Sequence, residues 1–234
     1  MRTQQGNVLF LILIAVVLFA ALSYAVTQSS RGGGNADRET AQLSASQAVQ
    51  YASALDYAIT KLTLMNGCTE TSISFENSTV TGYANTEDPS STTACQIFHA
   101  DGAGMSWASP PPGVNDGTPY FFNKTVNVYE TNSTTYNGDL IMFLFNVSES
   151  FCDAVNSGVG ITGTPEDSGN ILKTEASKFD GEYLPSDGLK GSPTNTDCDD
   201  PGIETPNLCG VPTACFIEGD TGERHFMHVL ISRE

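Results

Sequence analysis

Residues Val8 to Val26, VLFLILIAVVLFAALSYAV, form a run of nineteen residues without a single charge. Wound as a helix at about 1.5 Å per residue, such a run is on the order of 28 Å long, close to the thickness of a bilayer's hydrocarbon core. It must therefore meet lipid, an export channel or other stretches like itself. The run gives way to Arg31-Gly32-Gly33-Gly34 and then to a one-sided, amphipathic pattern. Whatever the rest of the chain folds into is tethered to this segment.

The 234 residues suffice for one sizeable domain besides the N-terminal segment. Ten Lys and Arg against 27 Asp and Glu give a net charge of −17. Nucleic acid is not an expected partner, because affinity for phosphate backbones comes from clustered Lys and Arg. Only 16% of residues are charged, while Gly, Ser, Thr and Asn abound, so residues 67–234 should form a β-rich, loop-rich globular head. Cys68, Cys95, Cys152, Cys198, Cys209 and Cys215 are even in number and lie beyond the apolar run. Behind an export signal they read as disulfides of an oxidising compartment. Six cysteines allow fifteen pairings; neighbours in sequence suggest Cys68 with Cys95, and Cys198 or Cys209 with Cys215.

Three export signals compete for the N-terminus. In the first, Arg2 and the small residues of Ser23-Tyr24-Ala25 suit a cleaved signal peptide, cut after Ala25. In the second, the length and Arg2 on the leading side suit a plain anchor with the acidic bulk outside. The third rests on Gln4-Gln5-Gly6-Asn7 immediately before Val8-Leu9-Phe10, a short polar leader that ends in glycine. This resembles the prepilin leader of type IV pilins and type II secretion pseudopilins. The resemblance covers residues 1 to about 66. It implies a leader of residues 1–6, cleavage between Gly6 and Asn7, and retention of residues 7–31 as a transmembrane and assembly helix running through Val8, Leu11 and Val26. Members of that family usually carry Glu at the fifth mature position, where this chain has Leu11. An ammonium buried without a counter-charge is costly. Since minor subunits at the filament tip are the ones known to dispense with that Glu, the departure points to a minor or tip-type subunit or to a divergent filament, and it leaves room for a simple anchored protein.

From Asn35 the pattern is one-sided. Ala41, Ala45, Ala48, Ala52, Leu55, Ile59 and Leu62 recur at helical spacing, with Gln42, Ser46, Gln50, Ser53 and Lys61 opposite. The expected helix covers 35–66, capped by Asn35 or Asp37 and closed by Asn66-Gly67. Each glycine inside a helix costs about 0.8–1 kcal/mol against Ala, so a break is expected at Gly32 to Gly34. The small alanines should allow close approach, and the larger Leu55, Ile59 and Leu62 should meet a β-core.

In the head, Thr71 to Glu76 and Ala94 to His99 read as short strands. Residues 100 to 119, rich in Gly and Pro and holding the lone Trp107, read as an extended surface loop; exposed, the tryptophan would be an adhesive anchor, and the favoured alternative is that it covers the core edge. Tyr120 to Glu130 and Asp139 to Val147 form the candidate centre of an antiparallel sheet. Ser148 should cap a short helix ending near Gly158, docked by Phe151 and Val155. Gly158 to Pro212 reads as a long irregular insertion, and Arg224 to Ser232 as a final strand.

Candidate chemistry is sparse. Asp197, Asp199, Asp200 and Glu204 crowd a turn, the kind of oxygen-rich loop that calcium takes; some pseudopilins bind calcium in C-terminal loops, although the spacing here is not that of an EF-hand. His225 and His228 stand three apart on an expected strand and so face opposite sides, which makes a shared zinc unfavourable. No G-x-S-x-G is present and no cysteine stands outside the disulfide set, so no enzyme is expected. The sequence thus predicts an α+β fold: a long N-terminal helix, broken near Gly32 to Gly34, packed on an antiparallel sheet in a disulfide-stapled head with long loops. The expected protein is exported and anchored in the inner membrane. It would then join a periplasmic or extracellular pilus-like or pseudopilus-like filament with copies of itself or other pilin-like subunits. The alternative is a secreted or anchored binding module, an adhesin with a calcium-stabilised acidic loop.

Overall fold

The structure, a computed structural model, describes residues 6–29, 33–128, 138–167, 171, 173–184, 189 and 208–233. The chain divides into two units, residues 1–40 and 41–234. Helix α1 runs Gly6–Ser29 and helix α2 Gly33–Asn66. The expected glycine break is therefore only partly met. Gly33 and Gly34 open α2 instead of interrupting it, because at the first turn a residue has not yet committed its N–H to the helix and glycine costs little there. For the same reason Asn35 and Asp37 fall inside the helix instead of capping it.

The head is built on four antiparallel strands in the order β1–β2–β5–β4, where β1 is Phe121–Val126, β2 Asp139–Leu144, β4 Thr213–Glu218 and β5 Arg224–Ile231. A two-residue strand, β3 (Glu166–Asp167), adds in parallel to the end of β4. Helix α3 (Glu149–Val159) follows β2. Ser148 caps it, its hydroxyl oxygen accepting from the Phe151 N–H, and Gly160 ends it at φ 84°, a left-handed conformation suited to glycine.

Side chains alternate across the sheet and both faces are covered. Leu140, Met142, Leu144, Phe122 and Phe226 share one core with the stripe of α2, from Ala45 through Leu55 to Leu62, and with Phe151 and Val155 of α3. Ile141, Phe143, Phe216 and Met227 face the other way, into a second core with Ile171, Leu189 and Leu208. All six residues of β2 are consequently buried. The insertion between α3 and β4 is thus more than a surface loop: its Ile171, Leu189 and Leu208 roof the second face of the sheet, while its Phe179 packs into the first core. Trp107 is half-buried and packs its ring against Phe98 and Phe122 at the core edge, as expected.

Both long edges of the sheet are occupied. Along β1, the Phe179 N–H donates to the Phe122 carbonyl and the Leu184 N–H to that of Lys124. Along β4, the Asn156 carboxamide of α3 acts as a surrogate strand: its oxygen accepts from the Cys215 N–H at 2.8 Å, and its nitrogen donates to the Cys215 carbonyl at 3.0 Å.

Two disulfides join described residues. Cys68 pairs with Cys95, as the sequence suggests. Cys215, however, pairs with Cys152 and with neither Cys198 nor Cys209. The helix α3 packs over β4 and brings those two Cα atoms to 5.1 Å, an ordinary span for a disulfide, despite 63 residues of separation. Cys209 is also disulfide-bonded; Cys198 lies outside the described residues. The strands expected at 71–76 and 94–99 reduce to a single bridge between Ser74 and Gln96, with a 3-10 turn at Thr93–Cys95. Here Ser72 and Ser74 turn their hydroxyls onto the neighbouring backbone, in competition with a ladder. In contrast, β4 was not expected at all. Ala214, Cys215 and Phe216 are buried on both faces and so show no period-two signature.

Candidate functional site

Helix α1 presents apolar side chains in every direction. The large ones described on it, Phe10 to Tyr24, range in exposure from 40% at Ile14 to 74% at Phe19, and Leu11 stands at 60%. A helix that is hydrophobic all round belongs inside something. Covering one Leu, Ile or Phe is worth about 1.5–3 kcal/mol, so a surface of this kind favours any environment that excludes water from it. Among the described residues no helix is long and apolar enough to cross a membrane; the described side chains of α1 span only residues 10–24. Gly6 and Asn7 open α1. The side chains of Val8 and Val26 lie outside the described residues, as do Asp197, Asp199, Asp200 and Glu204 of the expected calcium loop.

Within the head, one buried polar cluster stands beneath the second face of the sheet. The hairpin joining β4 to β5 brings together Glu218, Glu223 and His225, whose ligand atoms lie within 4.8 Å of one another. Glu218 and His225 are essentially inaccessible to solvent. Lys173, from the insertion, reaches over the Phe145 ring and sets its ammonium 3.5 Å from Glu218 Oε2, 3.0 Å from Glu223 Oε2 and 3.3 Å from His225 Nε2. Glu218 further accepts from the Ile171 N–H at 2.8 Å and from the Thr221 hydroxyl at 2.7 Å. Burial is the largest single influence on Glu218 and raises its pKa. These hydrogen bonds, with His225 and the Lys173 charge, outweigh it and hold the carboxyl below its usual range. Burial, and then the Lys173 ammonium, push His225 below its ordinary value.

Two carboxylates and an imidazole suit a divalent cation by type, but the donor pattern here does not. The Asn146 N–H donates to His225 Nδ1 at 3.3 Å. A neutral imidazole whose Nδ1 accepts must carry its proton on Nε2, so that nitrogen donates to Glu218, 3.3 Å away, and offers no lone pair to a metal. The Lys173 ammonium already occupies the cationic position. The cluster is an internal ion network that ties the insertion to the β4–β5 hairpin.

His228 points to the opposite face from His225. Its Nδ1 lies 2.6 Å from Thr213 Oγ1 and its Nε2 2.9 Å from Asp56 Oδ2. A hydroxyl, an imidazole and a carboxylate in line have the order of a nucleophilic triad. Thr213 is buried within a paired strand, however, so its oxygen is out of reach of a substrate carbonyl, and the chain of bonds instead latches α2 to β4 and β5. Sequence reasoning placed the two histidines on opposite sides but found neither set of partners. The one available signal was the turn residues Asp220-Thr221-Gly222, which make Glu218 and Glu223 hairpin neighbours. Nothing in the sequence pointed to Lys173 or Asp56.

No family model matches this chain, and no curated protein or solved structure matches it either.

Proposed function

We propose that this protein is a structural subunit of a type IV pilus-like or pseudopilus-like filament, of the minor or tip kind, that assembles through its N-terminal hydrophobic helix. The observation that carries the reading is the contrast between two helices adjacent in sequence. Helix α1 exposes apolar side chains on all sides, whereas α2 lays a single alanine-to-leucine stripe into the core of a disulfide-bonded head. The first suits assembly, or residence in the inner membrane before assembly; the second is part of the fold of the head. The prepilin-like leader ending at Gly6 supports the same reading. The exposed Leu11 replaces the usual acidic residue, so the N-terminal amine of Asn7 would need neutralising by a neighbouring subunit of another kind. This suits a position at a tip better than one repeated along a shaft.

The test is the intact mass of the protein recovered from its native cells. A mature chain beginning at Asn7, found in sheared or secreted filament fractions, is the expected result. A chain beginning at Val26 would sink the proposal, because no assembly helix would remain.

A further inference from the structure

His225 sits where the β4–β5 hairpin meets the insertion, with a donor set against each of its ring nitrogens. The Asn146 N–H lies 3.3 Å from Nδ1 and the Lys173 ammonium 3.3 Å from Nε2. Among the described residues, the other charged groups facing the ring are Glu218 at 3.3 Å and Glu223; the rings of Phe145 and Phe216 stand against it edge to face. The other two histidines are engaged elsewhere, His228 with Asp56 and His99 with Asp101. A second proton on His225 therefore meets resistance at both nitrogens. At Nδ1 it sets one N–H against another, and at Nε2 it places an imidazolium 3.3 Å from an ammonium.

The two donors differ in how easily they withdraw. Asn146 is followed by Val147, whose N–H donates to the Arg224 carbonyl at 2.9 Å, so the backbone there is fixed. Lys173 is a long side chain, 30% exposed, that reaches solvent by rotating about its own bonds. We propose that His225 and Lys173 form a proton-driven counter-ion exchange: a protonated His225 replaces Lys173 as the partner of Glu218, and the insertion around Ile171 and Lys173 loosens from the β4–β5 hairpin, uncovering Phe145 and Phe216. Glu218 keeps a cationic partner throughout, because His225 Nε2 is already within 3.3 Å of its Oε2. The Asn146 N–H contact, long at 3.3 Å, is given up; the same residue holds in Oδ1 a buried oxygen without a partner, an acceptor for the new Nδ1–H. What the insertion loses is its charged anchor, while the Ile171 N–H keeps its bond to Glu218 and the backbone at 178–184 stays paired to β1. With the insertion in place, burial and then the Lys173 ammonium hold His225 below its ordinary value of 6.5. Withdrawing the ammonium removes one of those restraints, so the loosened state binds the proton more tightly. Where the loosened state is protonated and the closed state is not, each unit of falling pH favours loosening by up to about tenfold. The exchange concerns the head alone and stands whether or not the chain joins a filament.

The full chain in dodecyl maltoside micelles, which cover α1, provides the test. Hydrogen exchange read by mass spectrometry, corrected for the intrinsic rate at each pH, compares the stretch 171–177 with β1 and with 178–184 between about pH 7.5 and 5.5, the range in which histidine titrates. Protection of 171–177 should fall by about tenfold or more across that range, following the titration of the His225 imidazole in NMR spectra, while β1 and 178–184 stay protected. Unchanged protection at 171–177 overturns the proposal. So does an equal loss in all three stretches, which would make the opening part of general unfolding. His225→Gln has no proton to take up, and Lys173→Met keeps the stem over Phe145 but has no ammonium to expel. In both variants exchange at 171–177 should no longer depend on pH, and either one retaining the wild-type response overturns the exchange.

Discussion

Lys173→Met removes the one cation that the described residues place in this buried network, while keeping most of the side chain's packing over Phe145. Glu218, 1% exposed, then keeps its bonds from Ile171, Thr221 and His225 but loses the ammonium 3.5 Å away. At that separation and an effective dielectric near 20, the Coulomb attraction is on the order of 5 kcal/mol. Lys173 is itself 30% exposed, so it gives up only part of its hydration on folding and solvent screens part of the attraction. The net loss should be about 2 kcal/mol, below the 3–5 typical of stranding a wholly buried charge. Urea unfolding with the disulfides intact measures it. Glu218→Gln in the same background discharges the stranded group, so the double variant should be less destabilised than the sum of the singles, with a coupling of about 1–2 kcal/mol. A loss under about 0.5 kcal/mol for Lys173→Met, or strict additivity in the cycle, would refute the view that Lys173 serves as the cluster's counter-charge.

Acid should destabilise the head in two stages. His225 is held below its ordinary value of 6.5 in the folded protein, so unfolding takes up a proton once the pH falls below that value; the stability it contributes is complete above about 6.5 and declines below it. Glu218, held below its ordinary 4.5, adds a second loss under pH 4.5 by the same sign. Melting curves between pH 7 and 3 should show both, and His225→Gln should flatten the upper stage alone; a variant with the full upper slope would assign it elsewhere. Leu55→Ala, in the core between α2 and the sheet, should cost about 2–5 kcal/mol, whereas Leu64→Ala, 79% exposed, should cost within about 0.5 kcal/mol. Equal costs in denaturant titration would contradict the assignment of the two faces of α2.

The parts of this fold that could be read in the sequence are those governed by local periodicity. The stripe of α2 follows from its 3–4 spacing, the start of α3 from Ser148, and the pairing of β1 with β2 from two apolar runs on either side of a polar stretch. What could not be read depends on contacts between distant segments. Strand β4 alternates between two buried faces and so loses its polar phase, and the Cys152–Cys215 bridge exists only because α3 lies across β4. The second core was hidden because Ile171, Leu189 and Leu208 are scattered through a polar insertion without any periodicity, each unremarkable until the sheet stands beneath them. The polar clusters were hidden for a like reason. Lys173 meets Glu218 across 45 residues and Asp56 meets His228 across 172, and no spacing rule reaches that far.

The occupied edges of the sheet have a consequence for how such heads can be joined. An unpaired strand edge is a template on which another chain can add, and many β-proteins polymerise or aggregate by that route. Here the backbone at 178–184 follows β1, and the Asn156 carboxamide fills the opening beside Cys215. Growth by strand exchange between heads is therefore closed at both of these places. Heads can be crowded together at high local density without their sheets fusing, so that contacts between them remain reversible and are chosen by side chains. Asn156→Ala would reopen one of those edges, leaving the N–H and carbonyl of Cys215 for a strand of another chain to pair.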